Sequence, residues 1–314
     1  MTGTIPERKP RVLAIADRPG WAIDHKTRAL VRILADRFEI IVRYQHEVAE
    51  VDLVQADLIL LYYWLQLRKL HLPVSVFERH SDRLMMGICS QFELTGELRE
   101  PGLDALRRLP RAVFANNRRL EHDFGPLIGH PVYYTPNGVN TELFRPLASP
   151  RNRQPGTIVV GWAGSLTNQG PDHRGFTDII KPAVARVSGA SLRTAIREQQ
   201  WRSHQEMPAF YRELDVYVCA SRSEGTPNPC LEAAACGVPL VTTRVGNMPE
   251  LVSDGVNGLF IERTVDSLAQ QLLRLRDNLE LGTRLRARLL ETISDWDWQI
   301  QAKRYADMFD ELLK

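Results

Sequence analysis

Short apolar runs alternate with longer amphipathic stretches almost from one end of the chain to the other. No other feature constrains the fold as much. Runs of that length fit buried strands, and the stretches between them carry helical periodicity, so the pattern predicts parallel sheets with helical crossovers. In the first half the strand candidates are RVLAIAD, FEIIVRY, ADLILLY, RLMMGIC, RAVFAN and PVYYTPN, with helix candidates WAIDHKTRALVRILADR and RRLEHDFGPLI. A polar, proline-bearing stretch, FRPLASPRNRQPG (144–156), then interrupts the alternation and reads as an interdomain linker. The second half restarts with TIVVGWAG and the helix RGFTDIIKPAVARV, continues through SLRTAI, DVYVCAS, PLVTT and NGLFIE, and closes on the amphipathic SDWDWQIQAKRYADMFDELLK. No short fixed-period repeat is visible, which argues against a solenoid. A length of 314 residues suits two domains. The expectation is α/β: two doubly wound parallel-sheet domains facing a cleft, with ligands beyond the carboxyl ends of the strands.

Composition narrows the class. Hydrophobic content of 44% and charged content of 25% are those of a soluble globular protein, and a net charge of +2 gives no argument for nucleic acid. The four cysteines (Cys89, Cys219, Cys230, Cys236) form no CxxC, and no His cluster stands at ligand spacing. They read as reduced thiols, three of them in apolar or Ala-rich surroundings, which fits a cytosolic compartment. The N-terminal residues lack an apolar stretch long enough for a signal peptide. VDLVQADLILLYYWLQL (51–67) is broken by Asp52 and Asp57 and falls short of the roughly 20 apolar residues of a membrane span, so strand followed by helix is expected there. Arg107, Arg108, Arg111, Arg118 and Arg119 gather in RRLPRAVFANNRR. They read first as a solvated face and second as contact with an anionic membrane surface, at the inner face, or with an acidic acceptor.

The chemistry concentrates in DVYVCASRSEGTPNPCLEAAACGVPLVTT, read as strand, loop, helix, strand. Asn228 is the expected N-cap and Pro229 suits the first helical position. The free N–H groups of that first turn and the helix dipole form a site for an anion such as phosphate. Glu232 falls one turn inside the helix. Glu224 lies in the preceding loop beside Gly225, where backbone can come close to a ligand. Two acceptor-only carboxylates flanking an anion site suit a ligand with hydroxyls on both sides of a phosphate, as in a nucleotide sugar. Read as plain structure, Glu232 only complements the dipole and Glu224 is a solvated loop charge.

The stretch SEGTPNPCLEAAACGVPLVTTRVGNMPELVSDGVNGLFIE resembles the signature region of the family 4 retaining glycosyltransferases, the glycosyl transferases group 1. Their hallmark is a Glu, seven residues, a second Glu, an Ala-rich helix and a G-x-P strand, here Glu224, Glu232 and Gly237-Val238-Pro239. TPNGVNTELFRP (135–146) is similar to the family's domain junction, and the last helix to the one that crosses back to the first domain. The resemblance is dense over roughly residues 131–300 and general in layout before that. It implies the GT-B fold: a first, acceptor-side Rossmann-like domain over 1–146, a nucleotide-sugar domain over 147–294, and a helix over 295–314 packing back on the first.

By that resemblance Glu232 accepts from the ribose hydroxyls, Glu224 holds the donor sugar, and Gly225, Thr226 and Asn228 line the sugar and diphosphate. VVGWAGSLTNQGPDHRGFTDII supplies other phosphate contacts, through Gly164, Ser165 and Arg174. Family members carry an Arg just after this strand's Gly; here Ser165 stands in that place, leaving Arg174 as the basic residue and Arg197 or Arg202 as substitutes. The base-contacting loop falls within IREQQWRSH (196–204). On the acceptor side the family's His at the end of the fourth strand is replaced by Cys89-Ser90-Gln91, with His80 nearby in sequence. Pro19-Gly20-Trp21 replaces the paired glycines after the first strand; Gly20 offers backbone to diphosphate or acceptor, and Trp21 a stacking face for a sugar or a core aromatic.

The implied activity is transfer of a hexose from a nucleoside-diphosphate sugar to a glycan, lipid-linked or other hydroxyl acceptor, with retention. Catalysis then rests on positioning and on charge stabilisation at the leaving phosphates. No cofactor is implied, and no metal, because no acidic triplet stands at a strand end. The absent Arg and His keep two rivals open: a catalytically silent sugar-nucleotide-binding subunit, and a sugar-nucleotide epimerase or hydrolase on the same fold.

Overall fold

The computed structural model describes residues 8–148, 153–167, 172–199 and 202–314. It divides into two compact units, residues 1–135 with 301–314, and residues 136–300.

The first unit is built on β1 (Arg11–Ala16), β2 (Glu39–Tyr44), β3 (Leu58–Leu61), β4 (Leu84–Ile88), β5 (Ala112–Ala115) and β6 (Val132–Tyr134). All pair in parallel, in the order β2-β1-β3-β4-β5-β6. The central strands are buried on both faces, as covered parallel strands must be, whereas edge strand β2 stays partly exposed. The crossovers are α1 (Ala22–Ile33), α2 (Glu50–Gln55), α3 (Val74–Glu78), α4 (Arg99–Arg108) and α5 (Arg118–Ile128). Asn117 caps α5, its Oδ1 accepting the Leu120 N–H at 2.9 Å, and Gly129 ends it at φ +77. In the apolar stretch 51–67 the expected strand is β3, followed by a 3₁₀ turn at Trp64–Arg68, but its first residues belong to α2.

The second unit holds β7 (Ile158–Gly164), β8 (Ala190–Ile196), β9 (Val216–Cys219), β10 (Leu240–Thr242) and β11 (Leu259–Phe260), again all parallel, in the order β11-β10-β9-β7-β8. Alternation along β9 sends Tyr217 and Cys219 to one core and Val216 and Val218 to the other, so both faces of the sheet are covered. The helices are α6 (Lys181–Ala185), α7 (Met207–Arg212), α8 (Asn228–Ala235), α9 (Met248–Leu251), α10 (Val265–Asp277) and α11 (Leu279–Ile293). The helix read from RGFTDIIKPAVARV opens with a π turn over Phe176–Ile180, where Gly175 O accepts Ile180 N–H at 2.8 Å. Pro182 has no N–H to continue an ordinary α ladder, which favours the wider turn just before it.

The last helix, α12 (Trp298–Leu312), joins the first unit from Gln301 onward: Tyr305 OH donates to Thr135 O at 3.3 Å and Arg111 to Leu312 O at 2.8 Å. The stretch 144–156 is not an interdomain linker. Its residues 149–152 lie outside the described ones, and its start belongs to the second core, where Phe144 is fully buried against Tyr211. The junction before it is also tied into that unit, Thr141 N–H donating to Asp297 at 3.1 Å and Asn137 to Asn228 at 3.0 Å. Cys219, Cys230 and Cys236 are buried free thiols, and Cys89 is half-buried.

Candidate functional site

In the first unit the turn after β1 places Gly20 at φ +71, its N–H donating to Asp24 Oδ2 at 2.8 Å. Asp24 is buried and also accepts from Arg28 and Tyr44, both at 2.9 Å. The Gly20 amide is therefore already used inside the protein, and does not point a free donor at a ligand. Trp21 starts α1, with the Arg18 guanidinium 5.1 Å from its ring centre. Gln91 opens the 3₁₀ turn after β4, its amide 3.4 Å from Asp123. Gly20 and Gln91 thus share the carboxyl edge of the sheet. His80 does not join them: it precedes the amino end of β4 and bonds Arg83 at 2.8 Å. The five clustered arginines are spent locally. Arg108, Arg118 and Arg119 pair with Asp104, Glu121 and Asp123, while Arg107 and Arg111 donate to the carbonyls of Leu127 and Leu312.

The second sheet reverses its strand order between β7 and β9, and ligands of open parallel sheets bind beyond the carboxyl ends at such a point. Gly164 ends β7 and Ser221–Glu224 follow β9, so both arrive there. Gly175 brings the intervening chain in. It has φ +68, and a Cβ would stand 2.6 Å from Ala220 O, an approach only glycine allows. Arg174 Nη1 then donates to Glu224 Oε1 at 3.0 Å, and Ser221 Oγ to the same oxygen at 2.8 Å. The pair is mostly buried, with 20% and 12% of the side chains exposed. Arg174 Nε is buried, with no hydrogen-bond partner among the described residues. A small crevice lies between these groups, lined by Trp162, Arg174, Ser221, Glu224, Pro229 and Cys230.

Glu232 sits on α8 with both oxygens engaged. Tyr211 OH donates to Oε2 at 2.7 Å, and His204 Nε2 lies 3.3 Å from Oε1. Burial and the Glu232 charge push the Tyr211 phenol up, keeping it a donor. Asn228 is not the N-cap. Pro227 holds that position, and Asn228 is the first helical residue, its Oδ1 taken by Asn137 rather than by a backbone N–H. Pro229 accordingly falls second in the helix. The loop ahead of α8 is held by Asn247, which donates to Thr226 Oγ1 and, through its N–H, to Gly225 O, both at 3.2 Å.

At the end of β7, Ser165 meets an acid rather than a base. Its hydroxyl donates to Glu198, which also accepts from Leu166 N–H at 3.1 Å and Thr167 Oγ1 at 2.9 Å. Although desolvation raises the Glu198 pKa, the donors around it hold it at about 2. Arg197 contributes its N–H to Gly164 O at 3.0 Å, and the Arg202 guanidinium lies 5.7 Å from the Phe210 ring. Residues 168–171 and 200–201 of the two expected ligand loops lie outside the described residues.

Residues 174–278 match the sequence profile of the glycosyl transferases group 1. The match spans about a third of the chain. Over 112 residues the chain is 33% identical to an uncharacterized glycosyltransferase of Methanocaldococcus jannaschii, spanning 35% of this chain and 32% of that protein. The fold is that of GT-B glycosyltransferase structures. Sucrose-phosphate synthase of Thermosynechococcus elongatus superposes with a TM-score of 0.74 over 97% of this chain and 99% of its own, at 15% identity. HepE of Anabaena, solved with UDP and glucose, gives 0.73 over 96% and 100%, at 14% identity.

Several residues of the group 1 domain and its borders went unread in the sequence. His173 is half-buried beside Arg174, its Nε2 without a hydrogen-bond partner among the described residues. Desolvation lowers its pKa against the pull of the Glu224 charge, which favours a neutral imidazole. Arg263 holds the end of β9 by donating to Ala220 O at 2.9 Å, and pairs with Asp178 at 3.0 Å. His173 and His204 carried a signal only by lying within the expected phosphate-contacting and base-contacting loops. Among the described residues no three His, Cys, Asp or Glu side chains group as a metal site, and no helix is long and apolar enough to cross a membrane.

Proposed function

We propose that the protein is a retaining, metal-independent glycosyltransferase of family 4 that moves a hexose from a nucleoside-diphosphate sugar to a hydroxyl of a glycan or lipid-linked acceptor. The observation that carries this reading is the pair of carboxylates, Glu224 and Glu232, set on either side of the α8 N-terminus at the strand-order reversal of a group 1 domain. Glu232 faces the ribose. Glu224, whose Oε2 takes no part in the bonds from Arg174 and Ser221, faces the sugar. Arg174 meets the diphosphate, exchanging its contact with Glu224 for the phosphate. The structural likeness to HepE with UDP and glucose makes UDP-glucose the first donor to try.

Departure of the nucleoside diphosphate leaves an oxocarbenium-like sugar, which the acceptor hydroxyl attacks from the same face while passing its proton to the departing phosphate oxygen. The protein contributes orientation and a preorganised positive field at the leaving group. Within the first unit, Gln91 and Trp21 at the carboxyl edge are the candidates for acceptor contact. Incubation with UDP-, GDP- and ADP-sugars and candidate acceptors, with product stereochemistry read by NMR, tests the reading. Retention of the donor's anomeric configuration is expected, and an inverted product refutes the mechanism. Glu198 and Ser165, in place of a cation at β7, favour one second reading, a sugar-nucleotide-binding subunit without turnover. Donor binding with no turnover over the acceptor panel selects it, and nucleotide release without acceptor selects a hydrolase.

A further inference from the structure

The end of β7 forms a small anion receptor that is already filled. The Leu166 N–H and the hydroxyls of Ser165 and Thr167 converge on one carboxylate, that of Glu198. Successive donors in a loop that close round a negative oxygen are the arrangement by which proteins hold phosphate. This one stands beside Arg174. A Cβ on Gly164 would lie 3.4 Å from Arg174 Cδ, so the guanidinium stem and the receptor flank the same strand end. Glu198 comes from the turn after neighbouring β8, and is exposed to solvent while its three donors lie at or near the surface. Among the described residues no buried group bonds its carboxylate.

We propose that Glu198 is an internal occupant of the diphosphate subsite: its carboxylate fills the receptor made by Ser165, Leu166 and Thr167, and a nucleoside diphosphate enters only by displacing it. The inference rests on the reading of this domain as the donor site. A carboxylate copies the acceptor oxygens of a phosphate but carries less charge, so a diphosphate able to use Arg174 as well can compete with it. A nucleoside without phosphates neither displaces Glu198 nor feels its charge. Glu198 thereby sets how tightly the diphosphate part is held, and lowers affinity for the spent nucleotide after transfer.

The sign of the effect separates this from a purely structural role. Glu198→Gln keeps an acceptor for the loop and removes the competing charge, and Glu198→Ala removes both. Calorimetry with UDP and with uridine, at pH 7.5, on wild type and both variants, reads the difference. Both variants are expected to bind UDP roughly tenfold more tightly, about 1.4 kcal/mol, and uridine as wild type does. UDP binding that is unchanged or weakened in both folded variants overturns the proposal and makes Glu198 a loop anchor. An equal gain for uridine also overturns it, since the effect would not pass through phosphate. If UDP, GDP and ADP all fail to bind wild type and variants alike, the donor-site reading falls and this inference with it. UDP binding without the gain removes the inference alone.

Discussion

If Glu224 and Glu232 grip opposite ends of one donor, their removal must fail in different ways. Glu232→Ala deletes the carboxylate that receives Tyr211 OH at 2.7 Å and lies 3.3 Å from His204. Hydrogen bonds to a charged group are worth about 1.5–3 kcal/mol, so the lost ribose contact should weaken binding roughly ten- to 150-fold. Ribose belongs to donor and free nucleotide alike, and both should suffer equally. The same change strands the fully buried Tyr211 hydroxyl. That costs about 1–3 kcal/mol of stability, or roughly 2–4 °C of Tm per kcal/mol for a unit of this size. Glu224→Ala removes a contact made only to the sugar, together with the internal counter-ion of Arg174. The nucleoside diphosphate should bind it at least as well as wild type, while turnover falls because the sugar leaves its reactive pose. Calorimetry with nucleotide and intact donor, a melting curve and an activity assay on each variant separate the cases. Equal loss of free-nucleotide binding in both variants refutes the division of labour. No loss in either, with the fold intact, reduces the two carboxylates to helix-dipole and loop charges.

Three further outcomes are expected. Arg174→Ala should weaken nucleoside diphosphate and donor together and slow turnover about a hundred- to thousandfold, as loss of one preorganised charge contact does elsewhere; unchanged affinity for both would move the cation to Arg197 or Arg202. Gly175→Ala, at φ +68 and 2.6 Å from Ala220 O, should destabilise the second unit by at least about 1–2 kcal/mol, read as a lower Tm, and a variant as stable as wild type contradicts the close approach. Burial raises Glu93 well above the ordinary carboxylate range, so the folded protein keeps a proton that the unfolded chain loses above about pH 4.3. Its contribution is present below that pH and lost as pH rises towards the folded pKa, so wild type should lose stability relative to Glu93→Gln as pH rises above about 5 in urea unfolding; parallel curves refute the assignment.

The fold was legible because parallel strands covered on both faces must be short apolar runs, and LILL and LMMGI can hardly be anything else. The motif put Glu224, Glu232 and Arg174 in one region for the same local reason, since their places are fixed by strand ends and a helix start. Contacts between distant stretches were not legible. Nothing near Asn228 announces that Asn137 will take its side chain, nothing near Ser165 announces Glu198, and Phe144 inside a proline-rich run looked like part of a linker. His80 shows the same gap from the other side. Four residues before β4 is close in sequence, yet it is the wrong end of the strand.

The charges named at the donor site are three carboxylates, Glu198, Glu224 and Glu232, with Arg174 as the guanidinium that faces one of them. On the proposed reading, a diphosphate entering here finds Arg174 and the β7 donors already occupied by carboxylates. Its binding would depend on exchange: Arg174 would turn from Glu224 to phosphate, and the β7 donors from Glu198 to phosphate. Each exchange frees a carboxylate, and a freed carboxylate accepts hydroxyl donors. Glu224 lies where the sugar is proposed to sit, so phosphate binding would release the very acceptor the sugar needs. A hydroxyl-bearing ligand without phosphate finds Glu224 still tied to Arg174 and Ser221, and a phosphate without sugar leaves Glu224 buried with Ser221 as its remaining named donor. Neither half alone satisfies every group. On the proposed function the intact sugar nucleotide would, which is why the mutual neutralisation of Arg174 and Glu224 would favour the whole donor over its parts.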